Sequence, residues 1–316
     1  MKRRHLLKSL GTLPLVAGAG QLWAAPAAGS RLLLVFLRGA YDCCSLLVPV
    51  SSSFYYEVRP DIAVPRPGAD ASAALPLDAD WGLHPVLRDS VYPLFQRGEL
   101  AFVPFAGADD TSRSHFETQD SIEMGQPLTG PRDYHSGFLD RLAGVVNGAA
   151  PMAFTAQIPL SMQGRVQVAN MALNRVARSN VDPRQSRLIA SMYHGTALAS
   201  RVDEGFSTRD QVMQDLQTEM QAAGRGAVST RGFGGEARRI ARLMVDRYNI
   251  GFVDVGGWDT HVNQGGVQGY LANRLDELGQ GLAAFAQEMG PAWRSTTVVV
   301  ISEFGRTFRQ NGNHGT

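Results

Sequence analysis

Four apolar runs punctuate the chain: Arg31–Leu37 (RLLLVFL), residues 99–105 (ELAFVPF), residues 249–255 (NIGFVDV) and Thr296–Ser302 (TTVVVIS). Short runs without polar alternation predict strands buried on both faces, as a parallel sheet requires. Helical segments are predicted over residues 86–97, 115–124, 235–248 and about 266–288, so that strands and helices alternate. That order predicts an α/β fold, a three-layer α/β/α sandwich around a mainly parallel sheet. Residues 65–77 read as a Pro/Gly/Ala/Asp loop. From about 165 to 235 the text turns rich in Arg, Gln, Met, Ser and Ala, and predicts a helical excursion within one domain spanning 28–316.

Residues 1–27 break this pattern. Arg3 and Arg4 precede a modestly apolar stretch that contains Gly and Pro14, and Ala25-Pro26-Ala27 offers small residues for cleavage. This predicts a twin-arginine signal peptide, with the twin-arginine translocase as partner during export and a periplasmic or extracellular destination. The stretch falls short of the roughly 20 residues that a spanning helix needs, so no stable membrane anchor is expected.

Composition narrows the chemistry. Of 30 basic residues only Lys2 and Lys8 are lysines, and both lie in the expected signal. The remainder therefore offers no P-loop lysine, no Schiff-base lysine and no Ser-Lys dyad. Cationic recognition falls to Arg, a planar two-point fork for oxyanions that cannot act as a base at neutral pH. Loss of Lys2, Arg3, Arg4 and Lys8 would move the formal charge from +1 to −3. Such a chain, without a dense basic tract, predicts no nucleic-acid binding. The two cysteines, Cys43 and Cys44, are neighbours, which excludes a disulfide framework within one chain.

In open α/β sheets ligands bind beyond the carboxyl ends of the strands. The four predicted strands are followed by Arg38-Gly39-Ala40-Tyr41-Asp42, by residues 108–116 with Arg113 and Ser114, by residues 256–261 with Asp259 and His261, and by Glu303 and Arg306. Carboxylates and imidazoles of this kind suit divalent ions, and two such ions stabilise attacking and leaving oxygens in phosphoryl-type transfer. Each residue also has a structural reading. Asp42 would serve as a turn or cap residue. Ser114 with Glu117 makes a capping box, and Arg306 would pair with Glu303. No Gly-rich dinucleotide fingerprint follows the first strand.

At these same segments the chain resembles a known family. The matching text is LVFLRGAYDCCSLLVP (residues 34–49), YYEVRPDIAVP (55–65), GLHPVL (82–87), SRSHFETQD (112–120), GGWDTHVNQ (256–264) and SEFGRTFRQNGNHGT (302–316). It resembles the exported bacterial proteins of the domain of unknown function 1501 family, grouped with the alkaline phosphatase-like superfamily. The resemblance implies two divalent ions (Zn, Mn, Mg or Ca) at the strand ends, with Asp42, Asp259, His261 and Glu303 as ligands. Ser114 would attack a phosphate or sulfate ester, and Arg113 or Arg306 would hold its oxyanion. Three features depart from the family text. Cys43-Cys44-Ser45 stands where small residues and then Asn are usual, and Glu303-Phe304 lacks the superfamily's His. The family also continues past GNHGT into a His-rich segment, so the resemblance implies a chain truncated before its last ligand. A non-catalytic exported binding or assembly protein on the same scaffold is the alternative expectation.

Overall fold

A computed structural model describes residues 29–171, 183–208 and 232–316. The expected signal over 1–27, and residues 172–182 and 209–231 of the expected excursion, lie outside the described residues.

The central sheet has five strands: β1 (Arg31–Leu37), β5 (Pro151–Ala153), β6 (Ala169–Asn170), β7 (Ile250–Val255) and β8 (Thr296–Ser302), in the order β6-β5-β7-β1-β8. All four neighbouring pairs are parallel. The continuous apolar text of β1 follows from its place between β7 and β8, where both of its faces are covered. Leu33, Val35 and Leu37 join one core cluster, while Leu34 and Phe36 join another. The period of two along a strand makes this division inevitable.

The first cluster is completed by α7 (Phe233–Asp246) and α8 (Tyr270–Met289) through Ala237, Ile240, Met244, Leu271, Leu275 and Phe285. The second takes Leu139 and Ala143 from α5 (Phe138–Val145), with Met162 and Phe252. Ile122 of α4 (His115–Met124) packs against it. Each of the two clusters on β1 thus takes in helical residues. A separate antiparallel sheet joins β2 (Leu47–Pro49), β4 (Trp81–Leu83) and β3 (Leu75–Pro76), so the predicted loop over 65–77 ends in a strand. Among the described residues no helix is long and apolar enough to cross a membrane.

Two expectations are corrected. Residues 99–105 form no strand. Leu100 and Phe102 tuck against the cluster of Leu87, Val91 and Leu94, but Val103 and Phe105 are 78% and 93% exposed. The run is therefore buried on one side only, and Pro104 lacks the N–H that a ladder needs. The strand beside β7 is instead β5, whose three residues are too few to stand out as a run. The helix expected over 86–97 breaks into a 3-10 turn at Pro85–Leu87 and the five-residue α3 (Tyr92–Gln96), with Pro93 in the first turn of α3. The 165–235 segment opens with a sheet strand, β6, and carries α6 (Pro183–Tyr193).

Register matters most for the site. Leu37 lies opposite Val255 on one side and Ser302 on the other. The loops after β1, β7 and β8 therefore leave the sheet at one level.

Candidate functional site

Three polar clasps are built where those loops leave the sheet. The first is fully buried. Asp42 ends the loop after β1 and caps α1 (Cys43–Leu46), accepting from the Cys44 N–H at 3.2 Å. Arg59, just past α2 (Ser53–Val58), meets it with a two-point fork: Nη1 donates to Oδ2 at 2.5 Å and Nη2 to Oδ1 at 3.0 Å. Gln264 Nε2 and Ser45 Oγ each donate to Oδ2 at 2.7 Å. The same guanidinium donates to the carbonyls of Phe308 and Thr307 at 2.7 and 3.2 Å, and packs on the rings of Tyr55 and Phe308. Burial alone would pull the Arg59 pKa down; the charge of Asp42 beside it outweighs this and raises it. Arg59 and Asp42 are 0% and 1% exposed, so the pair is sealed from water.

The second clasp centres on Glu303, directly after β8. Its Oε1 accepts from the Gly39 N–H at 2.8 Å, His115 Nδ1 at 2.8 Å and Gln119 Nε2 at 2.9 Å. Its Oε2 lies 2.8 Å from Ser302 Oγ, whose one hydrogen is shared with the Leu37 carbonyl at 2.6 Å. Burial would raise the carboxyl's pKa, but the hydrogen bonds from His115, its own backbone, Gln119 and Ser302 outweigh it and bring it down to about 2. His115, Gln119 and Glu123 are spaced four apart, so α4 presents them on one face. Arg38 ties the rest of that face to the sheet. It donates to Gln119 Oε1 at 2.8 Å, and its guanidinium pairs with Glu123 at 2.8 Å and with Asp254 of β7 at 2.9 Å.

The third clasp is partly open. Arg306 donates to Asp259 Oδ1 at 2.7 Å and to His261 Nδ1 at 2.6 Å. Because Nδ1 accepts, the imidazole carries its proton on Nε2, which faces Asp259 Oδ1 at 3.0 Å. Arg306 also donates to the Thr316 carbonyl. The Arg306 side chain is buried, while those of Asp259 and His261 are half exposed.

Gly39 joins the second and third clasps. Its φ is +120°, and a Cβ there would stand 2.8 Å from the Asp259 backbone nitrogen. Only glycine lets the chain pass this close while its N–H reaches Glu303.

The predicted site residues thus fall into separate sets. Asp259, His261 and Arg306 come together. Glu303 holds His115 rather than Arg306, and Asp42 holds Arg59. Ser114 is the N-cap of α4, its Oγ accepting from the Glu117 N–H at 3.3 Å; Arg113 beside it is exposed with φ +58°. Ser114→Ala should cost about 1 kcal/mol of stability, the usual worth of such a cap, measured by urea unfolding. A value near zero would show that the cap does not hold the helix.

Two divalent ions do not fit these donors as placed. Both oxygens of Asp42 and of Glu303 already accept from the chain's own guanidinium, imidazole, amide or hydroxyl groups, and both His261 nitrogens are engaged. Among the described residues no group of three or more His, Cys, Asp or Glu is placed to hold a metal ion.

Sequence reading missed His115, Gln119, Arg59 and Gln264. The spacing of His115, Gln119 and Glu123 was the available signal, since a helix with so weak an apolar stripe must aim a polar face at something. Arg59 carries no such signal, because its partners lie 17 and about 250 positions away.

Fold and site together define an α/β domain with a parallel central sheet and a polar cluster at the carboxyl ends of three adjacent strands. The chain belongs to the family described as "Protein of unknown function (DUF1501)", which matches residues 29–316. No curated protein and no solved structure matches it.

Proposed function

We propose that this chain is an exported hydrolase-like protein acting on phosphate or sulfate esters, built on a three-layer α/β/α scaffold of the alkaline phosphatase-like kind. Export would run through the twin-arginine translocase. The observation that carries the reading is that the loops after β1, β7 and β8 leave the sheet at one level. There Gly39 lies against both the Glu303–His115 pair and the backbone of Asp259, whose side chain meets His261 and Arg306. An imidazole with one open nitrogen, at the same sheet edge as a partly exposed carboxylate, can move protons. Ser114, at the positive end of the α4 dipole, is the hydroxyl that such a reading assigns to attack.

A specific observation favours a second reading, a non-catalytic binding or assembly protein. The Ser114 oxygen is already engaged as a cap, and Asp42 is locked to Arg59. One assay separates the two: a panel of phosphate monoesters, phosphodiesters and sulfate esters, each with and without Zn, Mn, Mg or Ca. Turnover that disappears in Ser114→Ala supports the hydrolase, and no turnover on any ester overturns it. Metal analysis of the wild type beside Asp42→Ala and Asp259→Ala closes the remaining question. Bound metal that falls in both variants would reinstate the two-ion centre.

A further inference from the structure

A buried carboxylate with one imidazole on it makes a different device from an ion ligand. Glu303 has no exposed side-chain surface, and its Oε1 already faces the Gly39 N–H and Gln119 Nε2, groups that can only donate, so Oε1 is an acceptor. His115 Nδ1, at 2.8 Å from Oε1, must therefore be the donor. A neutral imidazole that carries its proton on Nδ1 has its lone pair on Nε2. The ring is further fixed by packing on Phe304, with centroids 4.7 Å apart. About a third of the side chain remains exposed, and Nε2 has no partner among the described residues. Three constraints (one acceptor, one packed ring face, one open nitrogen) select a single tautomer and a single direction of approach.

We infer that His115 is a proton-transfer group of the strand-end face, with Glu303 as its positioning residue. The substrate class rests on the hydrolase reading above; the geometry of the pair does not. In ester hydrolysis Nε2 would take the proton of an attacking water. The electron pair of that bond stays on the oxygen, which bonds to phosphorus or sulfur. The ester bond breaks with its electrons on the leaving oxygen, and that oxygen takes the proton back from Nε2–H. A carboxylate behind the ring stabilises the imidazolium formed in between, the arrangement by which a base is oriented without itself being consumed.

The test needs no known substrate. In the wild-type protein at a pH where imidazoles are neutral, the side-chain ¹⁵N signals of His115 should show a protonated Nδ1 and an unprotonated Nε2. An Nε2-protonated ring overturns the assignment, and this measurement needs no variant. Diethyl pyrocarbonate, followed histidine by histidine by mass spectrometry, gives a second readout. His135 is exposed and serves as the internal reference. His115 should be acylated severalfold faster than His135 although it is less accessible, and Glu303→Gln should remove that advantage. Equal or slower reaction at His115, or a rate unchanged in folded Glu303→Gln, overturns the inference. Failure on the ester panel while both imidazole results hold would sink only the hydrolase reading.

Discussion

Arg59→Ala is expected to cost about 3–5 kcal/mol of unfolding free energy, because it leaves the Asp42 carboxylate buried without its counter-charge. Asp42 keeps three hydrogen bonds in that variant, from Ser45, Gln264 and the Cys44 N–H, but no positive charge. The carbonyls of Thr307 and Phe308 also lose their donor, so the segment after β8 should loosen together with the end of β1. Arg59→Lys should recover little, since an ammonium cannot reproduce a two-point fork that also reaches two carbonyls. The double variant Asp42→Ala with Arg59→Ala should be more stable than Arg59→Ala alone, because the uncompensated charge has gone. Urea unfolding of the four proteins measures all of this. A loss below about 1 kcal/mol for Arg59→Ala, the range of exposed pairs, would mean that the clasp is not sealed from water.

Acid should reveal the second clasp. Glu303 has a folded-state pKa of about 2 against an ordinary 4.5, so the folded state gives up this proton more readily than the unfolded chain. The stability it contributes is fully present above about pH 4.5 and is lost as pH falls towards 2. A difference of this size corresponds to about 3 kcal/mol at neutral pH. Comparing unfolding free energies of wild type and Glu303→Gln across that window isolates the effect from other carboxylates. The gap between the two proteins should close as pH falls. A gap that stays constant would place the proton of Glu303 outside the folding equilibrium.

Legibility followed the range of the interactions. β1 and β8 were readable to the residue, and β7 to within one. β1 and β7 are apolar because they lie inside the sheet. β8 keeps its apolar run at the sheet's edge although Val299 is 37% exposed, so the expected burial on both faces does not hold there. α4 was equally readable, since Ser114 and Glu117 mark its start and Gly125, in the left-handed conformation, its end. The run at 99–105 misled because hydrophobicity reports burial and not pairing: Leu100 and Phe102 are partly buried without joining a ladder. The three residues of β5 were invisible for the converse reason, being paired but too short to carry a period.

The site divides the same way. That Asp42, Asp259, His261, Glu303 and Arg306 follow strand ends was fixed by local text, because the residues after a buried strand are necessarily close to it in sequence. Which of them meet was not. Asp42 with Arg59 and Glu303 with His115 depend on how α2, α4 and the last loop fold back over the sheet, and on Gly39 passing within contact of Asp259. Sequence alone therefore determined the parallel α/β class, the lysine-free character of everything after residue 8, and the loops that carry the polar groups. Only the tertiary structure decided that those groups answer to one another as three clasps, since a hydrogen-bonding partner is chosen by distance in space and not by separation along the chain.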